Sequence, residues 1–346
     1  MGVGHKRRKI RNIIKLNIFL FIILIICVFF YYRNETGPKA AGGFSDPLMR
    51  EASQMEKSSA DDFLNGRGIL PADSGQSKAV AGDVYGEKPA ESLELALYTE
   101  LPYFIEENAG RYTDFKKRYP DYSYEKIITY VNIGLDREFY ENVSVVDDAD
   151  SITVLVNKYK KLPDDFEPEL VQVEQSMCAP TVGPQYLRRE AYEAFVKMRE
   201  DAKQLGLNIT VCSGYRSIRT QELIWNDALK RGRTLEDVDS SIARAGHSEH
   251  HTGLAIDVIT AEYDVEKTKE FEWYSQNAYK YGFIIRYPKD KEHITGYKYE
   301  PWHLRYVGPE IAKEIYEKDI TFDEYYVQVI QPGKSNGTGR GNRCCF

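Results

Sequence analysis

Three of the chain's six histidines fall within one stretch, Gly246-His247-Ser248-Glu249-His250-His251-Thr252-Gly253-Leu254-Ala255-Ile256-Asp257. A histidine at 250 on a loop and a carboxylate at 257 on the apolar strand that follows can turn toward one point. A second cluster, Glu300-Pro301-Trp302-His303, supplies another histidine and another acid. Two imidazoles and one carboxylate make a good zinc set, and a further glutamate left uncoordinated is what a zinc hydrolase needs to carry protons. Held by His250, Asp257 and His303, one zinc per chain would keep a fourth position for water and lower its pKa toward about 7. Pro301 biases Glu300 away from helix, so this is not the helical H-E-x-x-H arrangement; on a turning backbone Glu300 can still take a proton from water and return it to a leaving amine. Arg216, expected at a strand end, suits an oxyanion or a carboxylate. On spacing alone His247 or His251 could replace His250. His293, in the charged run from Lys289 to Glu292, reads as solvated.

The elements that must position these groups follow from periodicity. Leu187, Ala191, Phe195, Met198, Ala202 and Leu205 fall at helical spacing, with Gly206 as the stop. Leu207, Ile209 and Val211 alternate as a strand that delivers Ser213-Gly214-Tyr215-Arg216-Ser217. A helix is expected from Ile218 to Arg231, a strand from Leu254 to Ile259, a helix from Lys267 to Tyr281, a strand from Phe283 to Tyr287 and a last helix opened by Gly308-Pro309. Strands and helices mixed in this order, with polar loops carrying the site, indicate an α+β domain. Upstream, Leu95, Leu97 and Leu101 share one helical side, Ile127, Ile128, Val131 and Ile133 lie in a helix closed by Gly134, and Ile152, Val154 and Val156 alternate as a strand. The tyrosines from Tyr112 to Tyr140 read as half-buried packing in preference to a glycan-stacking surface.

With 346 residues, 42% of them hydrophobic, and 26 tyrosines, the chain is long and apolar enough for one or two domains with a proper core. Its start is different. Lys6, Arg7, Arg8, Lys9, Arg11 and Lys15 precede an uncharged run from Leu16 to Tyr32, near the roughly 17 to 25 residues a spanning helix needs. The run exceeds a signal-peptide core and ends in Phe-Phe-Tyr-Tyr-Arg, which suits an uncleaved anchor with its N-terminus in the cytoplasm and the rest of the chain outside. Setting aside the seven basic residues up to Arg33 takes the formal charge from −7 to −14, the wrong sign for a nucleic-acid binder. The organisation is then a basic cytoplasmic segment (1–15), a transmembrane anchor (16–33), a flexible tether (34–90), a leading helical and extended subdomain (91–160), the main domain (161–328) and a disordered tail (329–346). None of the five cysteines has metal or redox spacing; Cys178 and Cys212 are as well read as buried thiols as a disulfide.

Three ordered blocks resemble the VanY-type D-alanyl-D-alanine carboxypeptidases, which share a zinc fold with the VanX dipeptidases and the Hedgehog signalling domain. They are Ser213-Gly214-Tyr215-Arg216-Ser217, Gly246-His247-Ser248-Glu249-His250-x-Thr252-Gly253-Leu254-Ala255-x-Asp257, and Glu300-Pro301-Trp302-His303-Leu304-Arg305-Tyr306. The resemblance covers about residues 160 to 318, and Tyr130 to Asp136 also look like a leading segment of Gram-positive relatives. It implies a small mixed or antiparallel sheet flanked by helices. It selects His250 over its neighbours as ligand, with Asp257 and His303, and makes Glu300 the base. It gives Arg216 the developing oxyanion and part of substrate binding, and places Gln221 and Ser248 on the terminal D-alanine. His251 departs from the glutamine common in relatives.

The expectation is therefore a membrane-anchored, extracytoplasmic, monomeric zinc carboxypeptidase that trims D-alanine from peptidoglycan stem peptides. Its partners are the stem peptide and, through the N-terminal helix, the membrane; nucleic acid is excluded. Cleavage of the D,D bond of a pentapeptide or the L,D bond of a tetrapeptide stays open. A silent wall-binding module is the alternative of another class, and the intact Glu300 argues against it.

Overall fold

The apolar stripe of the helix α3 shows how the sheet acquires its backing. In the computed structural model, which describes residues 94–332, Ala191, Phe195, Met198 and Ala202 of this Arg189–Gln204 helix are all fully buried. They face Val211, Leu254, Ile256, Val258 and Leu304 in one core; emptying Phe195 there would cost about 3–5 kcal/mol. Gly206, in the left-handed region at φ 78°, ends the turn beyond the helix.

Two helices precede it, α1 (Ala109–Arg118) and α2 (Tyr124–Ile133). The Ser123 side chain caps α2 by accepting from Lys126 N, and Gly134 closes it at φ 112°. Short strands follow: β1 (Ser144–Val145) pairs in parallel with β2 (Lys160–Lys161), and β3 (Val171–Gln172) pairs antiparallel with β4 (Tyr186–Leu187). The principal sheet is antiparallel throughout. It is built from β5 (Val211–Ser213), β6 (Ala255–Val258), β7 (Phe283–Ile285) and β8 (His303–Tyr306), in the order β5-β6-β8-β7. Helix α4 (Ile218–Lys230) and the short α5 (Leu235–Asp239) lie between β5 and β6. Helix α6 (Lys269–Asn277) precedes β7, and α7 (Glu292–Thr295) lies between β7 and β8. Helices α8 (Pro309–Lys318) and α9 (Phe322–Tyr325) follow β8, and a π-turn, Tyr326–Ile330, continues from α9.

The α+β class and the helix positions agree with the sequence reading, and several details differ. Residues 152–156 form no strand: Val154, Leu155 and Val156 are buried in succession, and the carbonyls of Ile152 and Val154 accept from the Arg305 guanidinium at 3.1 and 2.8 Å. β5 begins at Val211, and the Ile209 carbonyl before it accepts from Arg199 Nε at 3.1 Å. Leu97 is 79% exposed while Leu95 is buried, so the three leucines do not share a face. The expected boundary at 160/161 is no break in packing. Tyr112, Tyr124 and Ile127 share a core with Ile284, Ile315 and Phe322, and β1–β2 pairs residues across the boundary. Of the upstream tyrosines, Tyr112, Tyr124 and Tyr130 are buried in that core and Tyr122 packs against it, as expected, whereas Tyr119 is exposed and Tyr140 packs on His247. Residues 329–332, placed with the tail in the sequence reading, remain helical. Cys178 and Cys212 are both free; burial pushes the Cys212 thiol up to about 12, far from reactivity at neutral pH. The basic segment, the anchor, the tether, Cys27 and the tail beyond 332 lie outside the described residues, among which no helix is long and apolar enough to cross a membrane.

Candidate active site

Sheet register brings the ligand candidates together. In β6 and β8, Asp257 stands directly opposite His303, and across the other edge of β6 it stands opposite Ser213 of β5. Directly opposed side chains on one face lie within contact distance, which makes a row of Ser213, Asp257 and His303 across three strands. His250 arrives from a one-turn helical segment, Glu249–Thr252, that ends at Gly253 with φ 69°. Only glycine fits there easily, since a Cβ would lie 2.8 Å from Leu170 Cδ2 and 3.1 Å from Arg188 Cγ.

His250, Asp257 and His303 each offer a ligand atom within 4.8 Å of the others, and all three are buried. His250 Nδ1 faces the Gly214 carbonyl at 2.7 Å; donation there leaves Nε2 with a lone pair 3.3 Å from Asp257 Oδ2. His303 turns Nδ1 to the same point, 3.1 Å from Asp257 Oδ1. Burial would raise Asp257, but His250 and His303 hold it ionised well below the usual carboxylate range. Burial also works against a charged His303, yet Asp257, Glu249 and Glu300 push it up to about 9. A field that draws a proton to this point draws any cation, so the donors and their charge fit a divalent metal.

Glu300 Oε2 is 3.8 Å from His303 Nδ1, close to the cluster without belonging to it. Its placement comes from the Glu300–His303 turn, in which His303 N donates to Glu300 O, and from its own N–H donating to Tyr287 O at 3.0 Å. Burial raises its carboxyl to about 7, with Asp257 and Glu249 adding to the rise and His303 and Arg216 opposing it. That is where a group must sit to take and return protons near neutrality.

Arg216 follows β5, with Nη2 4.0 Å from Asp257 Oδ2. Its fork is fixed: Nη1 donates to Gln221 Oε1 at 2.9 Å and Nη2 to Ser213 Oγ at 3.0 Å. Gln221, on α4, spends its amide nitrogen on the Ala243 carbonyl at 2.7 Å. Ser248 is buried on the loop before His250. Arg216, Gln221, Ser248, His250, Glu300 and His303 all line one open cleft of about 200 Å³. His247 and His251 point elsewhere: the His247 ring meets the Asn157 carbonyl at 2.7 Å, and His251 meets those of Arg216 and Phe166 at 3.2 and 2.8 Å. His293 is exposed, its ring 3.2 Å from Tyr130 OH.

Sequence reasoning missed the cleft's aromatic wall and the support behind the ligands. Tyr287 and Tyr297 line the cleft with ring centroids 4.8 Å apart, and Tyr287 also packs on His303 at 5.0 Å. Glu249, Arg286 and Arg305 form a buried ionic cluster behind His303. Strand alternation was the available signal for Arg305, two residues from His303 and so on the same face of β8.

Residues 184–309 match the family described as VanY, D-alanyl-D-alanine carboxypeptidase. The Bacillus subtilis (strain 168) protein YodJ is 39% identical over 213 residues, which are 57% of this chain and 77% of YodJ. A solved structure of the LdcB LD-carboxypeptidase, reported as revealing the molecular basis of peptidoglycan recognition, is 38% identical at TM-score 0.51. The match covers 55% of this chain and 92% of LdcB. A point mutant of the vancomycin-resistance D,D-pentapeptidase VanY from a VanB-type cassette, solved with Zn(II), is 31% identical at TM-score 0.43. It covers 50% of this chain and 97% of that one.

Proposed function

The chain belongs to the VanY family of D-alanyl-D-alanine carboxypeptidases, and on that premise we propose that it is an extracytoplasmic, membrane-anchored zinc D,D-carboxypeptidase. Its substrate would be the peptidoglycan stem pentapeptide, from which it removes the terminal D-alanine. The observation that carries the reading is the convergence of His250, Asp257 and His303 with Glu300 and Arg216 on one cleft. Two imidazoles and a carboxylate suit zinc, which when bound would polarise the scissile carbonyl and supply water activated at neutral pH.

The chain's own residues do the rest. Glu300 takes the proton of the attacking water at its carboxylate and gives it to the departing amine of D-alanine. Arg216, held in one orientation by Gln221 and Ser213, meets the negative charge that develops on the carbonyl oxygen. Gln221 has both amide ends engaged and so acts through Arg216, while Ser248 faces the terminal residue. The buried Tyr287 and Tyr297 limit water on one wall.

The 38% identity with an LD-carboxypeptidase favours one second reading, cleavage of the tetrapeptide's L,D bond by the same residues. Mass spectrometry of pentapeptide and tetrapeptide muropeptides, incubated with the purified protein with zinc and with a chelator, separates the two. Loss of one alanine from the pentapeptide that stops with chelator is expected. Shrinkage of the tetrapeptide alone would favour the L,D reading, and no cleavage by zinc-loaded protein would refute both. Protease accessibility of the folded head in intact and in lysed cells tests its side of the membrane.

A further inference from the structure

Behind His303, on the side away from Asp257, lies a buried carboxylate that the reaction above does not use. Glu249 is 1% exposed and stands between Ser248 and the ligand His250 in sequence. Its Oε1 accepts from two guanidiniums, Arg286 Nε and Arg305 Nη1, both at 2.8 Å. Arg286 Nη1 continues to Asp323 Oδ2 at 2.7 Å, and Asp323 Oδ1 accepts from Asn157 Nδ2 at 2.7 Å. Two acids balance two arginines, so the cluster is neutral without help from the imidazole. Its one loose end is Glu249 Oε2. Among the described residues that atom has no hydrogen-bond partner, and neither has His303 Nε2. The two face each other at 3.6 Å. A buried polar atom left unpaired is destabilising, so two orphans pointed at one another are relieved together by a small contraction.

We propose that Glu249 is a positioning residue for the metal: its Oε2 accepts the Nε2–H of His303, fixing the ring's tautomer and presenting Nδ1 to the ion. This rests on the metallopeptidase reading above. A neutral imidazole carries one proton, and the Nδ1 of His303 lies 3.1 Å from Asp257 Oδ1, a competing acceptor. Without an acceptor behind the ring, the proton can sit on Nδ1 and close the lone pair the metal needs. The two histidine ligands thus have unlike supports. His250 leans on the backbone carbonyl of Gly214, whereas His303 leans on an anion whose other oxygen is locked by two arginines. The anionic partner makes His303 the more basic donor and ties the ligand, through Arg286 and Asp323, to helix α9.

The test compares zinc affinity in the full-length protein, by competition with a chromophoric chelator, with thermal unfolding of the metal-free forms. Glu249→Gln should lose about 10- to 100-fold in affinity. Asp323→Asn breaks the same cluster one arginine farther from the metal; it should lose stability comparably yet bind zinc within about twofold of wild type. Equal loss of affinity in the two variants, or none in Glu249→Gln, overturns the positioning role. Should Glu249→Gln fail to fold, nitrogen-15 NMR of histidine-labelled, zinc-loaded wild type decides: a proton on Nε2 of His303 with Nδ1 coordinated is expected, and the reverse overturns the proposal. Wild type that binds no zinc would remove the metallopeptidase reading and this role together, whereas zinc binding indifferent to Glu249 removes the role alone.

Discussion

Replacing Glu300 by glutamine should make the protein a poorer catalyst and, without metal, a more stable fold. The carboxyl is raised from 4.5 to about 7, mainly by burial. A carboxyl whose folded pKa exceeds its unfolded one destabilises the fold wherever the unfolded chain would ionise it. The cost is absent below about pH 4.5, grows through the window between the two values and is level above it. Integrated to pH 7, that shift amounts to about 3 kcal/mol. Glutamine keeps the shape and removes the charge, so the metal-free variant should melt about 5–10 °C above wild type at pH 7 and with wild type near pH 4. Bound zinc should shrink the gap, since a dication beside Glu300 favours its ionised form. Losing the base should cost about 10²- to 10⁴-fold in kcat, or about 3–5 kcal/mol of barrier, with zinc affinity retained. Paired calorimetry at the two pH values and steady-state kinetics on a D-Ala-D-Ala pentapeptide check both halves. Equal melting temperatures at pH 7, or a kcat within tenfold of wild type, would refute the reasoning.

The same group sets the acid limb of the pH profile: kcat/KM should fall below a pKa of about 7 or lower, lower to the extent that bound zinc offsets burial, and a flat profile from pH 5 to 8 would exclude Glu300 as base. Arg216→Lys cannot bridge Gln221 and Ser213 at once, so kcat/KM should drop about 100-fold with zinc affinity and melting temperature little changed. Lys158 is buried over the Tyr297 ring at 3.9 Å, with its Nζ donating to the Asp239 carbonyl, and burial pushes it down to about 7. The unfolded chain therefore binds more protons between about pH 7 and 10.5, and this lysine makes wild-type stability rise with pH there. Lys158→Met should gain most over wild type at pH 7 and lose the advantage toward pH 10; parallel denaturant-unfolding profiles would show that the lysine is not held neutral.

What the sequence made legible is what local spacing encodes. The stripe of Ala191, Phe195, Met198 and Ala202, the stops at Gly134 and Gly206 and the apolar run around Ile256 needed no partner to be read, and that run places the strand that carries Asp257; the strand that carries His303 was not read from the sequence. Residues 152–156 misled because alternation specifies a strand only when a neighbour takes its carbonyls. Here a guanidinium takes them, from Arg305, about 150 positions on. Glu249 was hidden for a related reason. Next to two histidines it reads as one more polar loop residue, and only the folding of Arg286 and Arg305 onto it turns it into a buried anion. A lone carboxylate with no solvent could not stay ionised, so its charge is a property of the assembled chain. The candidate ligands and base can therefore be short-listed from motif spacing, with the resemblance choosing among the histidines, whereas the groups packed behind His303 come from the end of β7, β8, α9 and the segment at Asn157. Their identity is a matter of long-range charge balance. A sound reading of such a chain should accordingly ask of each arginine in the strands beside the site which acid it neutralises, and what that acid's second oxygen then faces.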